Sequence, residues 1–428
     1  MSKKRAQVRA GTTREGIIMQ HAPSRVTAAV SAFLLVASLA WADNPPVCGG
    51  VWLKGDLHAH SNQSDGINSV SDHIKKAQTL GFDYYVITDH DNSPLTMGYP
   101  AQWHNANYRS TSMILLYGME WTTAKGHANI LKDAMFNYGP LWTANRANNA
   151  DAAQTAAAEQ GALFSINHPE SHLWKYPIAY LPDAVEIWNL PFCTADLVAF
   201  QGRAFYDDLL RAGNRVPLVG GSDTHTLTGA YSWLWGSEHK YSGLGKPTTW
   251  VYAQARTGAA ILEAIRNGRA TVTYDPAGPR LEFAADANQD GRYDDALMGD
   301  EIACAGQPIA FQVNVAGNPG GGGIIDFDNA TVQALLDRQL RFVDIKNWMS
   351  QQGYASYDLL LIYKDGVLFR LTALLGGANA YTFRDTPSAS AYYRPELHRI
   401  PTPNPGPGNA YMDGVTAISN PIYVVVQN

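Results

Sequence analysis

Asp56-Leu57-His58-Ala59-His60-Ser61 follows a short apolar run, and Asp65 comes soon after it. Alternate side chains of an extended strand share a face, so His58 and His60 aim their rings at one point. Two neutral imidazoles converging there suit a borderline divalent cation such as zinc. One His-x-His is a weak signal by itself; its company strengthens it. Thr88-Asp89-His90, Glu120, Gly126-His127, Asn167-His168-Pro169 and Ser222-Asp223-Thr224-His225 follow in order, most of them just after strand-like runs. Six of the twelve histidines and three carboxylates thus become candidate ligands: His58, His60, Asp65, His90, Glu120, His127, His168, Asp223 and His225. A zinc ion takes about four or five ligands, so this set suits two or three ions with one carboxylate bridging. The chemistry on offer is metal-assisted hydrolysis.

Such ligands need strands that stop where they begin. Residues 51–57 read as a strand, and 69–80 as a helix that Ser69 caps and Gly81 stops, with Val70, Ile74 and Ala77 on one face. Residues 82–88, 113–119, 162–166, 184–188, 216–220, 248–252 and 270–274 read as further strands, and 150–160, 194–212 and 258–267 as helices. Alternation of this kind predicts right-handed βαβ units and a parallel sheet, closed into a barrel of about seven units. The polar groups then sit at the carboxyl ends of the strands, where barrel enzymes keep their catalytic groups.

Beyond about residue 276 the helix signal fades. Residues 281–283, 309–315, 357–363, 367–371 and 421–426 read as short strands and only 330–348 as a helix, which predicts a small β-sandwich packed on the barrel. One loop there, Asp286-Ala287-Asn288-Gln289-Asp290-Gly291-Arg292-Tyr293-Asp294-Asp295, has the D-x-N-x-D-G start of a calcium loop. Asp286, Asn288, Asp290 and Asp294 are its candidate ligands. Leu297 stands where an EF-hand has a bidentate glutamate, so calcium and a bare Asx/Gly turn both remain open.

At 428 residues the chain is too long for one ordinary core. A stretch of small apolar residues over 27–39 follows a basic region and precedes Ala40-Trp41-Ala42, the layout of an export signal. The expected division is therefore a leader over 1–42, a hydrolase barrel over 43–275 and a β-rich accessory domain over 276–428. Removing the leader takes away six Lys/Arg and one Glu from totals of 32 and 38, which leaves a formal charge of −11. An acidic chain without a basic cluster is no dedicated nucleic-acid binder, and no other apolar run is long enough to span a bilayer. A small-molecule ester is the expected partner. Cys48, Cys193 and Cys304 lack metal-knuckle spacing, and G-x-S-x-G and phosphate-loop motifs are absent.

The motifs Asp-Leu-His-Ala-His-Ser at 56–61, Ser64-Asp65-Gly66, Ile87-Thr88-Asp89-His90, Asn167-His168-Pro169 and Gly221-Ser222-Asp223-Thr224-His225 resemble the polymerase and histidinol phosphatase (PHP) superfamily of metal-dependent phosphoesterases. Gly118-Met119-Glu120-Trp121, Gly126-His127-Ala128-Asn129 and Ser419-Asn420-Pro421 are similar to its carbaryl-hydrolase-like branch. The resemblance implies an α/β fold, a distorted (β/α)7 barrel, with three metal positions. His58, His60, Glu120 and Asp223 would form the first; Glu120, His127 and His168 the second; Asp65, His90 and His225 the third. It also implies Zn, Mn or Fe as the ions. The function expected is an exported phosphoesterase that cleaves phosphomonoesters or phosphodiesters with a metal-bridging hydroxide, Glu120, Asp223 and His225 being its catalytic groups. The alternatives are a carboxylic or carbamate ester hydrolase and a non-catalytic metal- or ligand-binding protein. Lys125, His172, Trp188 and Asn189 are candidate substrate contacts, and Asp89 and Asp91 read as supports or surface groups.

Overall fold

The computed structural model describes residues 49–169, 174–189, 197–227, 243–340, 342–400 and 415–427. The expected leader, Cys48, Cys193 and His172 lie outside the described residues. Among those described, no helix is long and apolar enough to cross a membrane. The first half runs β1 (Val51–Asp56), α1 (Val70–Thr79), β2 (Tyr84–Tyr85), β3 (Ile114–Leu115), β4 (Tyr117–Thr123), β5 (Gly126–Lys132), α2 (Gly139–Arg146), α3 (Ala150–Glu159), β6 (Leu163–Asn167) and β7 (Ala184–Asn189). It continues through α4 (Leu197–Arg211), β8 (Leu218–Gly221), β9 (Thr248–Ala253), α5 (Gly258–Arg266) and β10 (Ala270–Thr273).

Helix α1 begins where its sequence says it should. The Ser69 hydroxyl accepts from the Asp72 N–H and the Asp72 carboxylate accepts from the Ser69 N–H, a reciprocal cap worth about 1 kcal/mol. Val70, His73, Ile74 and Ala77 form its buried face, and Gly81 takes φ +67° to end it.

Strand direction departs from the all-parallel expectation. β1–β2–β3 and β6–β7–β8 are parallel, but β9 pairs antiparallel to β1 and β10, and β5 antiparallel to β4 and β6. The cause of the second departure is local. Only Ala124 and Lys125 separate β4 from β5, enough for a hairpin but too short for a crossover to a parallel neighbour. Two ribbons result, β10-β9-β1-β2-β3 and β4-β5-β6-β7-β8. They meet at one end through single bridges, Ala59 to Thr224 and His90 to Glu120. Leu53, Val86, Leu116, Leu131, Val219 and Val251 fill the space between them, with Ile261 and Ile265 of α5 packed against the cluster.

The second half holds β11 (Arg280–Asp286), β12 (Ala296–Leu297), β13 (Glu301–Cys304), β14 (Ile309–Ala316), β15 (Ile324–Asp326), α6 (Asn329–Leu336), α7 (Phe342–Gln351), β16 (Tyr357–Lys364), β17 (Val367–Leu375), β18 (Ala380–Asp385), β19 (Ala391–Ile400), β20 (Val415–Ser419) and β21 (Ile422–Val426). The single helix expected over 330–348 is two helices, broken where Arg338 takes φ +57°. β19, which was not among the expected strands and carries Pro395, pairs with β16 on one side and with β20 and β21 on the other. A four-stranded sheet, β12-β11-β14-β18, shares a core with the larger sheet. The Phe311 ring lies 4.9 Å from Phe383 and 4.6 Å from Tyr393.

The larger sheet does not stop at residue 275. β20 pairs with β10, so β15-β17-β16-β19-β20-β10-β9-β1 is one continuous path. Asn420 clips the junction: its amide accepts from Leu218 N–H at 2.7 Å and donates to the carbonyls of Leu218 and Ala270 at 2.9 Å each.

A buried ionic network ties α4 to β19. The Arg394 guanidinium reaches Glu396 and, at 3.2 Å, Asp207, while Arg203 holds the other Glu396 oxygen at 2.8 Å. Removing one partner strands a buried charge, so Arg394→Ala should lower the unfolding free energy by about 3–5 kcal/mol. Burial works to raise the Glu396 pKa, but the Arg203 and Arg394 charges outweigh it and hold the carboxyl well below its usual value. The stability this gives is complete above the unfolded value of about 4.3 and fades as pH falls below it. Urea unfolding of wild type against Glu396→Gln should therefore show a gap that is constant near neutrality and narrows towards about pH 3.

Candidate metal centre

Past β1 the chain stays extended between two neighbours. Thr88 N–H donates to Ala59 O at 2.8 Å, His60 N–H to Thr224 O at 2.9 Å and Asp223 N–H to His58 O at 2.8 Å. Ala59 faces the apolar cluster beside α1, so His58 and His60 face the opposite way, their rings 5.1 Å apart. Asp56 secures this stretch by accepting from the N–H groups of His58, Ser222 and Gly245 at 3.2, 3.0 and 2.8 Å. Burial pushes its carboxyl up to about 6, with those donors pulling the other way.

The β4–β5 hairpin supplies the next pair. Thr122 faces His127 and Glu120 faces Asn129 across the ladder, so Glu120 and His127 stand diagonally on one sheet face. His168 follows β6 and Asp223 follows β8, both with positive φ, +29° and +48°. Non-glycine residues in that region are strained and cluster at functional sites.

All nine expected ligands gather here. Glu120 is at the middle: its oxygens lie 2.7 Å from His90 Nδ1, 3.1 Å from His127 Nδ1, 3.3 Å from His58 Nε2, 3.4 Å from His168 Nε2 and 3.6 Å from His60 Nε2. Asp223 Oδ1 lies 2.9 Å from His60 Nε2 and 3.3 Å from His58 Nε2. Asp65 Oδ2 lies 3.2 Å from His225 Nε2 and 3.6 Å from His90 Nε2. His58, His60 and Glu120 are fully buried, whereas the Asp65 side chain is 53% exposed and that of His127 27%. The cluster thus has a buried floor and an open rim.

Partners on the far side of two rings decide which nitrogen holds the proton. His58 Nδ1 meets Glu186 Oε1 at 2.9 Å, and His225 Nδ1 meets the Asp223 carbonyl at 2.9 Å. In both, Nδ1 is therefore the donor and Nε2 turns a lone pair towards carboxylate oxygens. His90 differs, since its Nδ1 faces the cluster and lies 2.7 Å from both Thr122 Oγ1 and a Glu120 carboxylate oxygen. His58 and His60 also bring their Nε2 atoms within 3.1 Å of each other. His60 Nδ1 has no hydrogen-bond partner among the described residues. Lone pairs and anionic oxygens packed this closely repel unless cations lie between them. The donor set fits divalent metal.

Protons answer the same field. Burial lowers the His90 pKa, but the Glu120 charge outweighs it and lifts the ring to about 9, while burial and the charges of His225 and His90 drop His60 to about 3. Burial opposes ionisation of Glu120 and Asp223, and the surrounding imidazoles still hold both carboxyls far below their usual range.

Three subsets have donor atoms within 4.8 Å of one another: His60, Asp65, His90 and His225; His58, His60 and Glu120; and His90, Glu120 and His127. Asp65, His90 and His225 fall together as the resemblance implies, with His60 added. His90 also joins Glu120 and His127, where the resemblance had His168 as third member.

Two supporting groups, Glu186 and Asn167, were not expected, whereas Asp89 and Asp91 were expected as supports or surface groups. Glu186 receives His58 Nδ1, the His168 N–H at 3.1 Å and the Asn189 amide at 2.8 Å. Its signal was a lone charge in the apolar run 184–188. Asn167 donates to Glu120 at 2.9 Å. Asp89 accepts from Ser61 N–H, Ser61 Oγ and Ser64 Oγ, each at 2.7 Å, and Asp91 from Thr122 N–H, Tyr138 and Asn145. Both are buried, and burial lifts them to about 6 and 7. Of the substrate candidates, Asn189 points at Glu186 and at Asp223, 3.4 Å away. Trp188 packs in the apolar core near Tyr274, and Lys125 lies exposed with its ammonium 5.7 Å from the Tyr176 ring.

Residues 56–170 match the family model of the PHP domain. No curated protein matches the chain. Among solved structures, it is similar to a two-domain Bacteroides vulgatus protein containing a predicted PHP-like metal-dependent phosphoesterase. That likeness has 17% identity and a TM-score of 0.40, covering 83% of this chain and 92% of the other. A Bifidobacterium adolescentis protein, provisionally named a metal-dependent phosphoesterase, is similar at 16% identity and a TM-score of 0.28 over 45% of this chain and 90% of its own.

Two substitutions test the supports. Glu186→Ala should weaken metal binding about 10–100-fold in a chelator competition while leaving the ligands in place. A Cβ on Gly221 would come within 2.4 Å of Glu186 Oε1 and 2.5 Å of the His58 Cβ. Gly221→Ala should therefore reproduce the loss of metal through displacement alone, with far-ultraviolet circular dichroism unchanged.

Proposed function

We propose that this chain is an exported metal-dependent hydrolase that cleaves phosphomonoesters or phosphodiesters at the cluster around Glu120. The observation that supports it most is the placement of that one buried carboxylate within 3.6 Å of five imidazole rings. Divalent cations held by such a set acidify water and polarise an ester oxygen. His58 and His60 anchor the floor, with Glu120 and Asp223 supplying negative charge between them. His225, its Nδ1–H kept by the Asp223 carbonyl, presents Nε2 on the side where Asp65 stands. Asp65 and His127 are the groups an incoming ester meets first, because they are the most exposed of the nine. A phosphoryl group suits this arrangement because its several oxygens can be divided among neighbouring ligand subsets. Export is part of the proposal and rests on the leader-like pattern over residues 1–42.

The test is a substrate panel on purified protein: p-nitrophenyl phosphate, bis-p-nitrophenyl phosphate and naphthyl esters, each with Zn²⁺ or Mn²⁺, alongside metal analysis. Metal-dependent turnover of a phosphate ester is expected. His58→Ala and Asp223→Ala should lose bound metal and cut kcat by at least about 10³-fold. Turnover confined to naphthyl esters would move the assignment to carboxylic or carbamate esters. Full metal occupancy without any turnover would leave a binding protein.

A further inference from the structure

We propose that the loop joining β11 to β12 is a separate cation site, one that takes calcium and clamps this hairpin. Asp286 ends β11 and is only 2% exposed. Its Oδ2 accepts the Gly291 N–H at 3.0 Å, which turns the carboxylate across the loop. Its Oδ1 is buried and has no hydrogen-bond partner among the described residues. A buried anionic oxygen without a partner is costly, so something of positive charge belongs beside it.

Four further N–H groups of the loop are committed elsewhere. Asp290 N–H donates to Asn288 Oδ1 and Arg292 N–H to Asp290 Oδ1, both at 2.8 Å, while the N–H groups of Ala287 and Asn288 go to Asp295 Oδ2 at 2.7 and 2.9 Å. What Asp286 Oδ1 lacks is a cation. The neighbouring side chains are hard oxygen donors at alternate positions, Asn288 and Asp290, followed by Gly291 at the turn, with Asp294 further on. That is a calcium set; with no histidine or cysteine in the loop, softer metals have no claim on it.

Two other acids are spoken for. Asp295 takes the N–H groups already named and the Asn288 amide at 2.9 Å, so it braces the loop ends. Asp300 divides its oxygens between Arg269 and the Leu297 N–H. With Leu297 in place of a bidentate glutamate, and with carboxylates that do not converge as tightly as those around Glu120, the site should be weaker than a sensor EF-hand. An affinity of about 10⁻⁴–10⁻³ M, as in extracellular modules, is expected. The structural effect is large for so weak a site, because β12 is an edge strand held to β11 by only two residue pairs, Ala284 with Leu297 and Ala285 with Ala296.

The experiment is thermal unfolding of the chelator-treated full-length protein, with and without several millimolar CaCl₂, repeated with MgCl₂ as control. Calcium should raise the Tm of wild type by about 1–3 °C and magnesium much less. Asp290→Ala and Asn288→Ala, both at exposed positions, should abolish the calcium shift. Asp223→Ala, with its centre around Glu120 impaired, should keep it. No shift in wild type, or a shift retained in both loop variants, overturns the proposal. A shift lost in Asp223→Ala alone would place the calcium at the Glu120 cluster and overturn it equally.

Discussion

Unshared electron pairs crowded into one buried space are the constraint around which this protein is built. His58 and His225 each commit Nδ1 to an oxygen on their far side, which leaves their Nε2 atoms facing carboxylates. Without cations His90 holds its proton, its pKa raised by the Glu120 charge, and a metal bound there must displace it. Asp56, Asp89, Asp91 and Glu186 take their meaning from this. They are not ligands but the fixed acceptors that set ring orientation and loop shape before any cation arrives.

Holding the groups together has conformational costs. His168 and Asp223 sit at positive φ, a strain of about 1–3 kcal/mol each, and Gly221 must lack a side chain because Glu186 and His58 occupy its space. The two ribbons carrying the ligands touch at that end by single bridges, and one bridge is formed by ligands themselves, His90 and Glu120. Cations shared across the seam would therefore stabilise the closed end as well as the chemistry.

The second half of the chain is not a loose appendage. Its larger sheet continues through β20 into β10, Asn420 bridges β8 and β10, and the Arg394–Glu396 network grips α4. Changes in this half should reach the centre through β8, whose end carries Asp223.

The nine candidate ligands were legible in the sequence as a set because metal chemistry restricts residue type and because strand period two and strand ends leave a readable spacing. Helix α1 was legible too, since its cap and stop are local. Strand direction was not. Gly126-His127-Ala128-Asn129 read as a motif, whereas it forms β5, antiparallel because two residues cannot carry a crossover. β19 was not expected either, being a strand maintained by pairing partners elsewhere in the chain. Nor could the sequence say which histidine joins which carboxylate, or that Glu186 would orient His58. Those pairings depend on distances between segments as far as 165 residues apart, which only the folded chain sets. Residue chemistry by itself picked out a set of histidines and carboxylates suited to cations; the packing of two ribbons end to end decided which of those groups lie side by side.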